Sequence, residues 1–327
     1  MGKYLEIHDL NVVYTSDEET VFAVNGVDLS LDRGQTLGLV GETGAGKTTI
    51  AKAILRILPG RQSDIRKGKI CIEGDDLLKK AEKDMLPIRG NKVAMIFQDP
   101  MTALNPTMTV GDQITEVVAL HNKGTRQEAE KHTIEMLEMV GIPEERYVEY
   151  PHQFSGGMKQ RVVIAMALAC NPELLLADEP TTALDVTIQA QVLDMINNLK
   201  QKFNTAMILI THDLGVVAQT CDMVAVIYAG QVVEYASKLE LFDHKRHPYT
   251  LGLFSSVPDI NDESRRLKPI PGLPPDPTDL PKGCSFHPRC PHARKQCKLE
   301  KPELHEIAPG HFCRCHMEHG QEGQKWH

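Results

Sequence analysis

The chain has no long uninterrupted hydrophobic run and no excess of basic residues. The chain of 327 residues has a formal net charge of -8 and a pI near 6.0. Its overall charge therefore does not attract it to nucleic acid or acidic lipid. No stretch approaches the roughly 18 to 20 consecutive apolar residues that a membrane-spanning helix needs. Any contact with a membrane is therefore expected to be made through a partner.

Cysteine is scarce over most of the chain. The N-terminal sequence also lacks the apolar core of a secretory signal. MGKYLEIHDLNVVY alternates charged and apolar residues, which leads us to expect a cytoplasmic protein. Three of the eight cysteines, Cys71, Cys170 and Cys221, are scattered and are expected to be small buried hydrophobes. The other five follow residue 280. In a reducing compartment such a cluster favours metal over disulfides.

The chain does contain an alternation of short apolar runs and stretches with helical spacing. Residues 4–14 and 27–31 alternate like half-buried strands, which predicts a small antiparallel sheet at the start. Residues 105–160 read as a helical insert that includes a helix closed by Gly141. The remaining apolar runs lie at residues 36–40, 93–97, 174–177, 206–210 and 223–228. Their alternation with stretches of helical spacing is typical of an α/β core.

The segment GETGAGKT, residues 41–48, matches the phosphate-binding pattern G-x-x-x-x-G-K-[ST] between an apolar run and a helical stretch. In such a loop, backbone N–H groups and the following helix N-terminus surround phosphates. Lys47 is expected to reach the β- and γ-phosphates, and Thr48 to bind Mg²⁺ together with Asp178, which ends the apolar run before Glu179. The expected nucleotide contacts are Gly41, Glu42, Thr43, Gly44, Ala45, Gly46, Lys47, Thr48 and Thr49.

A second segment, FSGGMKQR at residues 154–161, decides among the classes of P-loop protein. It carries the serine and both glycines of the LSGGQ signature, and here the chain resembles the ATP-binding subunits of ABC transporters. Met158 departs from the glutamine that is common in that family. Over about residues 1–250 the other family motifs follow in order, with Tyr14 as the adenine-stacking aromatic, Gln98 as the Q-loop glutamine, Asp178 and Glu179 as Walker B, 183–185 as the D-loop and His212 as the switch histidine.

The resemblance implies a fold and a division of labour. The fold is an α/β P-loop (RecA-like) ATPase core with an antiparallel β subdomain and a helical signature subdomain. Glu179 is the candidate for orienting or deprotonating the water, and His212 for holding the γ-phosphate; Gln98 is expected on Mg²⁺. By resemblance, Ser155, Gly156 and Gly157 act in trans on ATP bound to a partner, so that two cassettes close around two nucleotides.

The sequence that follows the ATPase motifs narrows the resemblance to the ATPase subunits of oligopeptide and dipeptide importers. HPYTLGLFSSVPDI, IPGLPPDP and GCSFHPRCPHARKQC, within residues 247–297, resemble the D-type subunit. This implies ATP-driven peptide import from the cytoplasmic side of the cell membrane, with the chain bound peripherally. The implied partners are an F-type ATPase subunit, two integral membrane permease subunits and, indirectly, an extracellular peptide-binding protein, without nucleic acid. The expected domains are an ATP-binding domain at 1–257 and an extension at 258–327 that begins with a proline-rich connector.

The extension is expected to bind metal. In the subfamily its four cysteines carry an iron–sulfur cluster, which implies a [4Fe–4S] group on Cys284, Cys290, Cys297 and Cys315, with Cys313 as a substitute fourth ligand. The spacing C-x₅-C-x₆-C-x₁₇-C lacks the tight C-x₂-C pairs of structural zinc sites. Zn²⁺ remains a rival, because seven of the fourteen histidines also follow residue 280; they include His287, His292 and His316.

Two other functions stay open at this point. One is a soluble ABC-type ATPase that acts on nucleic acid or ribosomes and uses a zinc module; the other is an importer ATPase for a non-peptide solute such as a metal or a sugar. A long-armed DNA-repair ATPase would need a long coiled coil between Gln98 and Ser155, where only 56 residues intervene. A translation-factor type would need two cassettes, whereas the sequence has one Walker A segment.

Overall fold

The computed structural model describes residues 3–181, 185–256 and 269–317. These residues form two compact units. The first unit comprises the described parts of 1–30, 37–78 and 211–327, and the second comprises the described parts of 31–36 and 79–210. Residues 183–184 of the expected D-loop and 258–268 of the expected connector lie outside the described residues.

The elements are named in chain order. The strands are β1 (Leu5–Thr15), β2 (Thr20–Leu31), β3 (Thr36–Val40), β4 (Ser63–Ile72), β5 (Asp75–Asp76), β6 (Val93–Ile96), β7 (Leu174–Asp178), β8 (Ala206–Thr211), β9 (Met223–Tyr228), β10 (Gln231–Ser237), β11 (His305–Ala308) and β12 (His311–Cys313). The α-helices are α1 (Lys47–Leu55), α2 (Glu82–Met85), α3 (Pro100–Ala103), α4 (Val110–His121), α5 (Arg126–Met139), α6 (Gly156–Leu168), α7 (Val186–Phe203), α8 (Leu214–Thr220), α9 (Lys238–His244), α10 (Pro248–Ser255) and α11 (Lys295–Leu299).

The predicted N-terminal antiparallel sheet is present in the first unit. Its spatial order is β2-β1-β4-β5, and β4 runs antiparallel to both β1 and β5. The strand predicted at 27–31 is the end of a longer strand that begins at Thr20. β4 was not predicted, because its sequence SDIRKGKICI is charged or polar over most of its length and its first seven positions are half-buried or exposed.

Strands with continuous apolar sequence form the buried parts of both units. In the first unit the order is β11-β12-β10-β9-β3, with β3 parallel to β9, and in the second unit β8, β7 and β6 are parallel neighbours. Every residue of β3, β7 and β8 is buried, which explains why these runs do not alternate: parallel strands are usually covered on both faces. All five predicted core strands are confirmed to within one residue at their ends.

The predicted helical insert is confirmed in the second unit. It contains α4, α5 and α6 with 3₁₀ turns at Glu144–Val148 and Pro151–Gln153. Its last helix continues to Leu168, beyond the predicted limit of 160. Each helix begins at a hydroxyl side chain that accepts a hydrogen bond from a backbone N–H of the first turn, and these N-caps are Thr109, Thr125 and Ser155.

The cysteine-rich extension contributes to the sheet of the first unit. β12 pairs antiparallel with β10 and places Cys313 opposite Glu234. Phe286 is buried, with ring centroids 5.2 Å from Tyr228 and 5.4 Å from Tyr249. Such aromatic packing gives the extension and the preceding residues a shared core.

The described part of the connector, 269–281, contains neither helix nor strand, in agreement with its proline-rich sequence. One of its carbonyls, that of Pro277, accepts a hydrogen bond of 2.8 Å from the Phe22 amide. Among the helices of the described residues, none combines the length and the apolar character that a membrane span requires.

Candidate nucleotide site and cysteine cavity

The segment 41–48 is a tight loop between β3 and α1 in the first unit. Lys47 is 6% exposed, and its ammonium donates hydrogen bonds to the carbonyls of Gly41 at 2.6 Å and Glu42 at 2.9 Å. Thr43 and Gly44 are exposed, whereas the end of the loop is buried. The loop thus presents its middle to solvent and keeps a fixed cation beneath it, an arrangement suited to an anionic ligand.

Two glycines of the loop serve different purposes. Gly46 has a φ of 100°, and a Cβ added there would lie 2.3 Å from the carbonyl oxygen of Ala23. Gly44 has a φ of 80°, but an added Cβ would meet nothing within 4 Å. Gly46 is therefore required both by backbone conformation and by close approach, and Gly44 by conformation alone.

Two residues that the sequence analysis did not single out contact the second residue of the loop. The Glu42 amide donates to the hydroxyl of Tyr249 at 2.9 Å, and the Glu42 carboxylate forms an ion pair with Arg289 at 2.7 Å. Burial raises the pKa of the Tyr249 phenol above its ordinary range, so this hydroxyl remains neutral. Both residues lie in segments that the sequence analysis quoted, but nothing in their local pattern pointed to the loop.

The other predicted nucleotide residues of the first unit are placed as follows. Tyr14 is half-buried on β1, and its hydroxyl lies 3.1 Å from the hydroxyl of Thr49 on α1. Thr48 is half-buried at the start of the same helix, and His212 is exposed immediately after β8. The hydrogen bond links the expected adenine platform to the helix that follows the phosphate loop.

In the second unit, three predicted residues follow neighbouring parallel strands. Asp178 is buried at the end of β7, and Glu179 comes next with a φ of 46°. Gln98 follows β6, and its Nε2 donates to Glu179 Oε2 at 3.0 Å. A positive φ at a non-glycine residue is uncommon and is concentrated at functional sites. The backbone amide of Glu179 is held by the carbonyl of Ile210 at 2.9 Å.

The signature segment forms the N-terminus of α6, also in the second unit. Ser155 and Gly156 are exposed, and Gly157 is half-buried. The Ser155 hydroxyl accepts from the Met158 amide at 3.4 Å. The Met158 thioether, at the position where the family pattern differs, accepts from a guanidinium nitrogen of Arg146 at 3.2 Å. The exposed helix N-terminus retains the polar groups that can face a phosphate.

The structure therefore collects the predicted nucleotide residues into two sets, one in each unit. The first unit holds Tyr14, the loop from Gly41 to Thr49, and His212; the second holds Gln98, Ser155, Gly156, Gly157, Asp178 and Glu179.

The four cysteines predicted as ligands line one small cavity of the first unit, whereas Cys313 does not. Cys313 is fully buried on β12. No disulfide links the eight cysteines, all of which lie in the described residues. Of the three scattered cysteines, Cys170 and Cys221 are buried as predicted, but the prediction was wrong for Cys71, which is half-buried.

Burial controls the chemistry of the cavity's thiols. It raises the pKa of Cys284 to about 11 and that of Cys290 to about 12. Buried thiols of this kind are protonated near neutral pH and react slowly. His292, which also lines the cavity, has a buried Nε2 atom without a hydrogen-bond partner in the described part of the chain.

The cavity does not have the geometry of a single-ion site. Among the described residues, no group of three or more histidine, cysteine, aspartate or glutamate side chains is arranged to hold a metal ion. The structure thus places the predicted cysteines together but does not support the prediction that the extension binds a metal.

Two family models match the chain. One, described as "ABC transporter", matches residues 24–182, and the other, described as "Oligopeptide/dipeptide transporter, C-terminal region", matches residues 233–297. Together the two matched segments include the phosphate loop, the signature, Walker B and the first three clustered cysteines.

Similar proteins were found along nearly the whole chain. It is 48% identical over 320 residues to the oligopeptide transport ATP-binding protein OppD of Bacillus subtilis (strain 168), covering 97% of this chain and 89% of that protein. It is 47% identical over 320 residues to the dipeptide transport ATP-binding protein DppD of the same organism, covering 97% and 96%. Of the solved structures, a dimeric post-hydrolysis state of the ATP-binding cassette MJ0796 bound to ADP and Pi superimposes with a TM-score of 0.65 at 25% identity, covering 72% of this chain and 98% of that one.

These comparisons correct one prediction about partners. The F-type label given to the second ATPase subunit is wrong: none of the relatives named here carries it, and the solved structure named here is described as dimeric.

Proposed function

The chain belongs to the ATP-binding subunits of oligopeptide and dipeptide ABC transporters, and on this basis we propose which of its residues bind and hydrolyse ATP. It is an ATPase whose hydrolysis is coupled to transport. The observation that carries the site assignment is the position of Lys47, whose buried ammonium is fixed by two carbonyls of the glycine loop. The match of the C-terminal model to residues 233–297 disfavours the nucleic-acid and non-peptide alternatives.

We assign ATP binding to the residues that the sequence analysis singled out. The amides of the loop from Gly41 to Thr49 and the Lys47 ammonium hold the phosphates, and Tyr14 stacks on the adenine. Mg²⁺, when bound with ATP, neutralises phosphate charge. Thr48, Gln98 and Asp178 would hold it, since hydroxyl, amide and carboxylate oxygens are the donors that this hard cation prefers.

Hydrolysis depends on the polar groups that follow the parallel strands. Glu179 orients or deprotonates the attacking water, and the Gln98 amide fixes the carboxylate through the 3.0 Å hydrogen bond. His212 holds the γ-phosphate, while Lys47 stabilises charge on the phosphoryl oxygens as the bond to the leaving group breaks. These residues perform positioning and charge stabilisation, which dominate phosphoryl transfer.

The exposed signature segment acts in trans. Ser155, Gly156 and Gly157 cap ATP held by a second cassette, so two nucleotides are enclosed in a dimer. Closure and reopening are passed on through Gln98 and the helical insert to two integral membrane permease subunits, which receive cargo from an extracellular peptide-binding protein. In this arrangement the chain lies peripherally on the cytoplasmic side of the membrane and has no nucleic-acid partner. The ATP-binding domain is 1–257 and the extension 258–327.

The cysteine cavity is proposed to hold an iron–sulfur cluster on Cys284, Cys290, Cys297 and Cys315. A single Zn²⁺ needs sulfur ligands about 2.3 Å away and hence tightly convergent, and no such convergent group of three or more ligands is present among the described residues. A cluster of several irons is larger, so the cysteines that would hold it can lie further apart while still lining one cavity. The group would join the separate parts of the extension. Zinc is the alternative, with His292 as a ligand.

The proposed function is tested by reconstituting the full chain with its membrane subunits in vesicles. We expect ATP hydrolysis to rise when peptide-loaded binding protein is added and to vanish in a Lys47→Ala control. Stimulation by DNA or ribosomes without membrane subunits, or by a sugar or metal but not by peptides, would contradict it.

A further inference from the structure

The side chain of Arg289, which directly precedes Cys290, reaches the phosphate loop. Its two terminal nitrogens contact the two carboxylate oxygens of Glu42 at 2.7 Å and 3.0 Å. The Arg289 side chain is 5% exposed and that of Glu42 is 29% exposed. Such a two-pronged, largely buried contact fixes both direction and distance.

Arg289 is itself held by other parts of the first unit. Its Nε donates to the carbonyl of Pro271 in the connector at 3.0 Å. Its guanidinium carbon lies 5.8 Å from the ring centroid of Tyr228, and one nitrogen is 3.4 Å from the Tyr228 hydroxyl. Because guanidinium is planar and carries several donors in fixed directions, these contacts leave it little freedom.

Glu42 receives this constraint within the loop. Its amide is bonded to Tyr249, and its carbonyl accepts from the Lys47 ammonium at 2.9 Å. A shift of the Glu42 backbone would displace a carbonyl that holds Lys47, and the contact of the Glu42 carboxylate with Arg289 opposes such a shift. The carboxylate also carries a negative charge in a loop proposed to bind anionic phosphates, and Arg289 offsets that charge.

We propose that Arg289 is a positioning residue that holds the phosphate loop through Glu42, so that nucleotide affinity depends on the folded cysteine-rich segment. This inference rests on the proposed function, because it assumes that the loop binds ATP. Arg289 acts through Glu42 and Lys47 and does not itself touch the nucleotide.

The experiment measures the Kd of a fluorescent, non-hydrolysable ATP analogue for the full-length chain in four forms: wild type, Arg289→Gln, Glu42→Gln and the double variant. We expect each single change to weaken binding about tenfold, in keeping with the loss of a charge-assisted hydrogen bond. The double variant should be no weaker than the worse single variant, because both changes remove the same contact.

Conservative variants separate positioning from simple charge. Lysine keeps the positive charge but lacks the two-pronged geometry, so Arg289→Lys should also weaken binding. If charge alone mattered, Arg289→Lys would bind normally, and Glu42→Gln would bind more tightly because a negative group is removed. Either result would overturn the inference.

Two controls distinguish the other ways to fail. Arg314 lies in the same extension and donates to the carbonyls of Val232 at 2.9 Å and Pro302 at 3.2 Å. Arg314→Gln should alter thermal stability without changing the Kd of the nucleotide. An equal loss of affinity in this variant would refute a specific link between Arg289 and the loop.

Lys47→Ala tests the premise that the loop binds ATP: normal binding by that variant would contradict the proposed function. Normal binding by Arg289→Gln, with Lys47→Ala defective, would overturn only the present inference. If Arg289→Gln does not fold, Arg289→Lys and Glu42→Gln decide.

Discussion

Gln98 and Glu179 are joined by a hydrogen bond of 3.0 Å between the amide Nε2 and the carboxylate Oε2. The two residues follow adjacent parallel strands, β6 and β7. An ionised carboxylate has several acceptor sites, so it can accept this hydrogen bond together with others. The Glu179 carboxylate, which we propose activates the water, is thus oriented by Gln98. We propose that Gln98 also relays motion to the membrane subunits.

Glu179→Gln is expected to abolish turnover while retaining ATP binding. The amide cannot take a proton from water, and loss of a general base costs about 10²- to 10⁴-fold in rate. Steady-state ATPase assays and size-exclusion chromatography with ATP should show a stalled, nucleotide-bound dimer. Asp194→Asn, at an exposed position of α7, is the matched control with normal activity. Ordinary turnover by Glu179→Gln would refute the assignment of the base.

Gly46→Ala should damage the phosphate loop more than Gly44→Ala. Both positions have positive φ, for which a non-glycine residue costs about 1 to 2 kcal/mol. Only at Gly46 would the new methyl group also meet a carbonyl, that of Ala23 at 2.3 Å. Thermal unfolding and nucleotide Kd should both show the larger loss for Gly46→Ala. Equal effects of the two substitutions would show that the close approach is unimportant.

The sequence was sufficient for features encoded locally. The loop around Lys47 and the buried strands β3, β6, β7, β8 and β9 were predictable because glycine spacing and apolar runs directly reflect backbone geometry. β4 was missed because a half-exposed, charged strand has no apolar alternation to detect.

Long-range contacts were beyond prediction for a different reason. Arg289 and Glu42 are separated by 247 residues, and neither lies in a pattern that names its partner. The four cysteines were grouped by the resemblance to the importer subunits, which left Cys313 as a substitute ligand. The pairing of β12 with β10 buries Cys313 opposite Glu234. Contacts of this kind depend on how the strands of the sheet pair. A short stretch of sequence contains no information on that pairing.

A buried network around His311 should make stability depend on pH. Its Nε2 is 2.8 Å from Glu234 and its Nδ1 is 3.2 Å from Glu240, whose other oxygen contacts His244. Burial alone would lower the pKa of His311, but the hydrogen bonds to the two carboxylates outweigh it and raise the pKa above its ordinary value. The stability from protonated His311 is fully present below the unfolded pKa of about 6.5 and is lost as pH rises through the folded pKa.

His311→Gln is expected to remove this pH dependence. The difference in thermal midpoint between wild type and the variant should be large at about pH 6 and shrink toward about pH 9. His244→Gln is the control, because that histidine is 58% exposed in its side chain and exposed pairs contribute little. A difference that stays constant with pH would mean that His311 does not gain a proton on folding.

The fourth cysteine of the proposed cluster can be identified by comparing two serine variants. Cys315 lines the cavity with Cys284, Cys290 and Cys297, whereas Cys313 is fully buried on β12 and does not. Purified without oxygen, the wild-type chain should absorb visible light and contain matching iron and acid-labile sulfide. Cys315→Ser should lose both, since the thiolate is the ligand, and Cys313→Ser should keep both. The reverse result would make Cys313 the ligand. Colourless wild-type protein with stoichiometric zinc would replace the cluster by a zinc site, with a ligand supplied by the Nε2 atom of His292, which has no hydrogen-bond partner among the described residues.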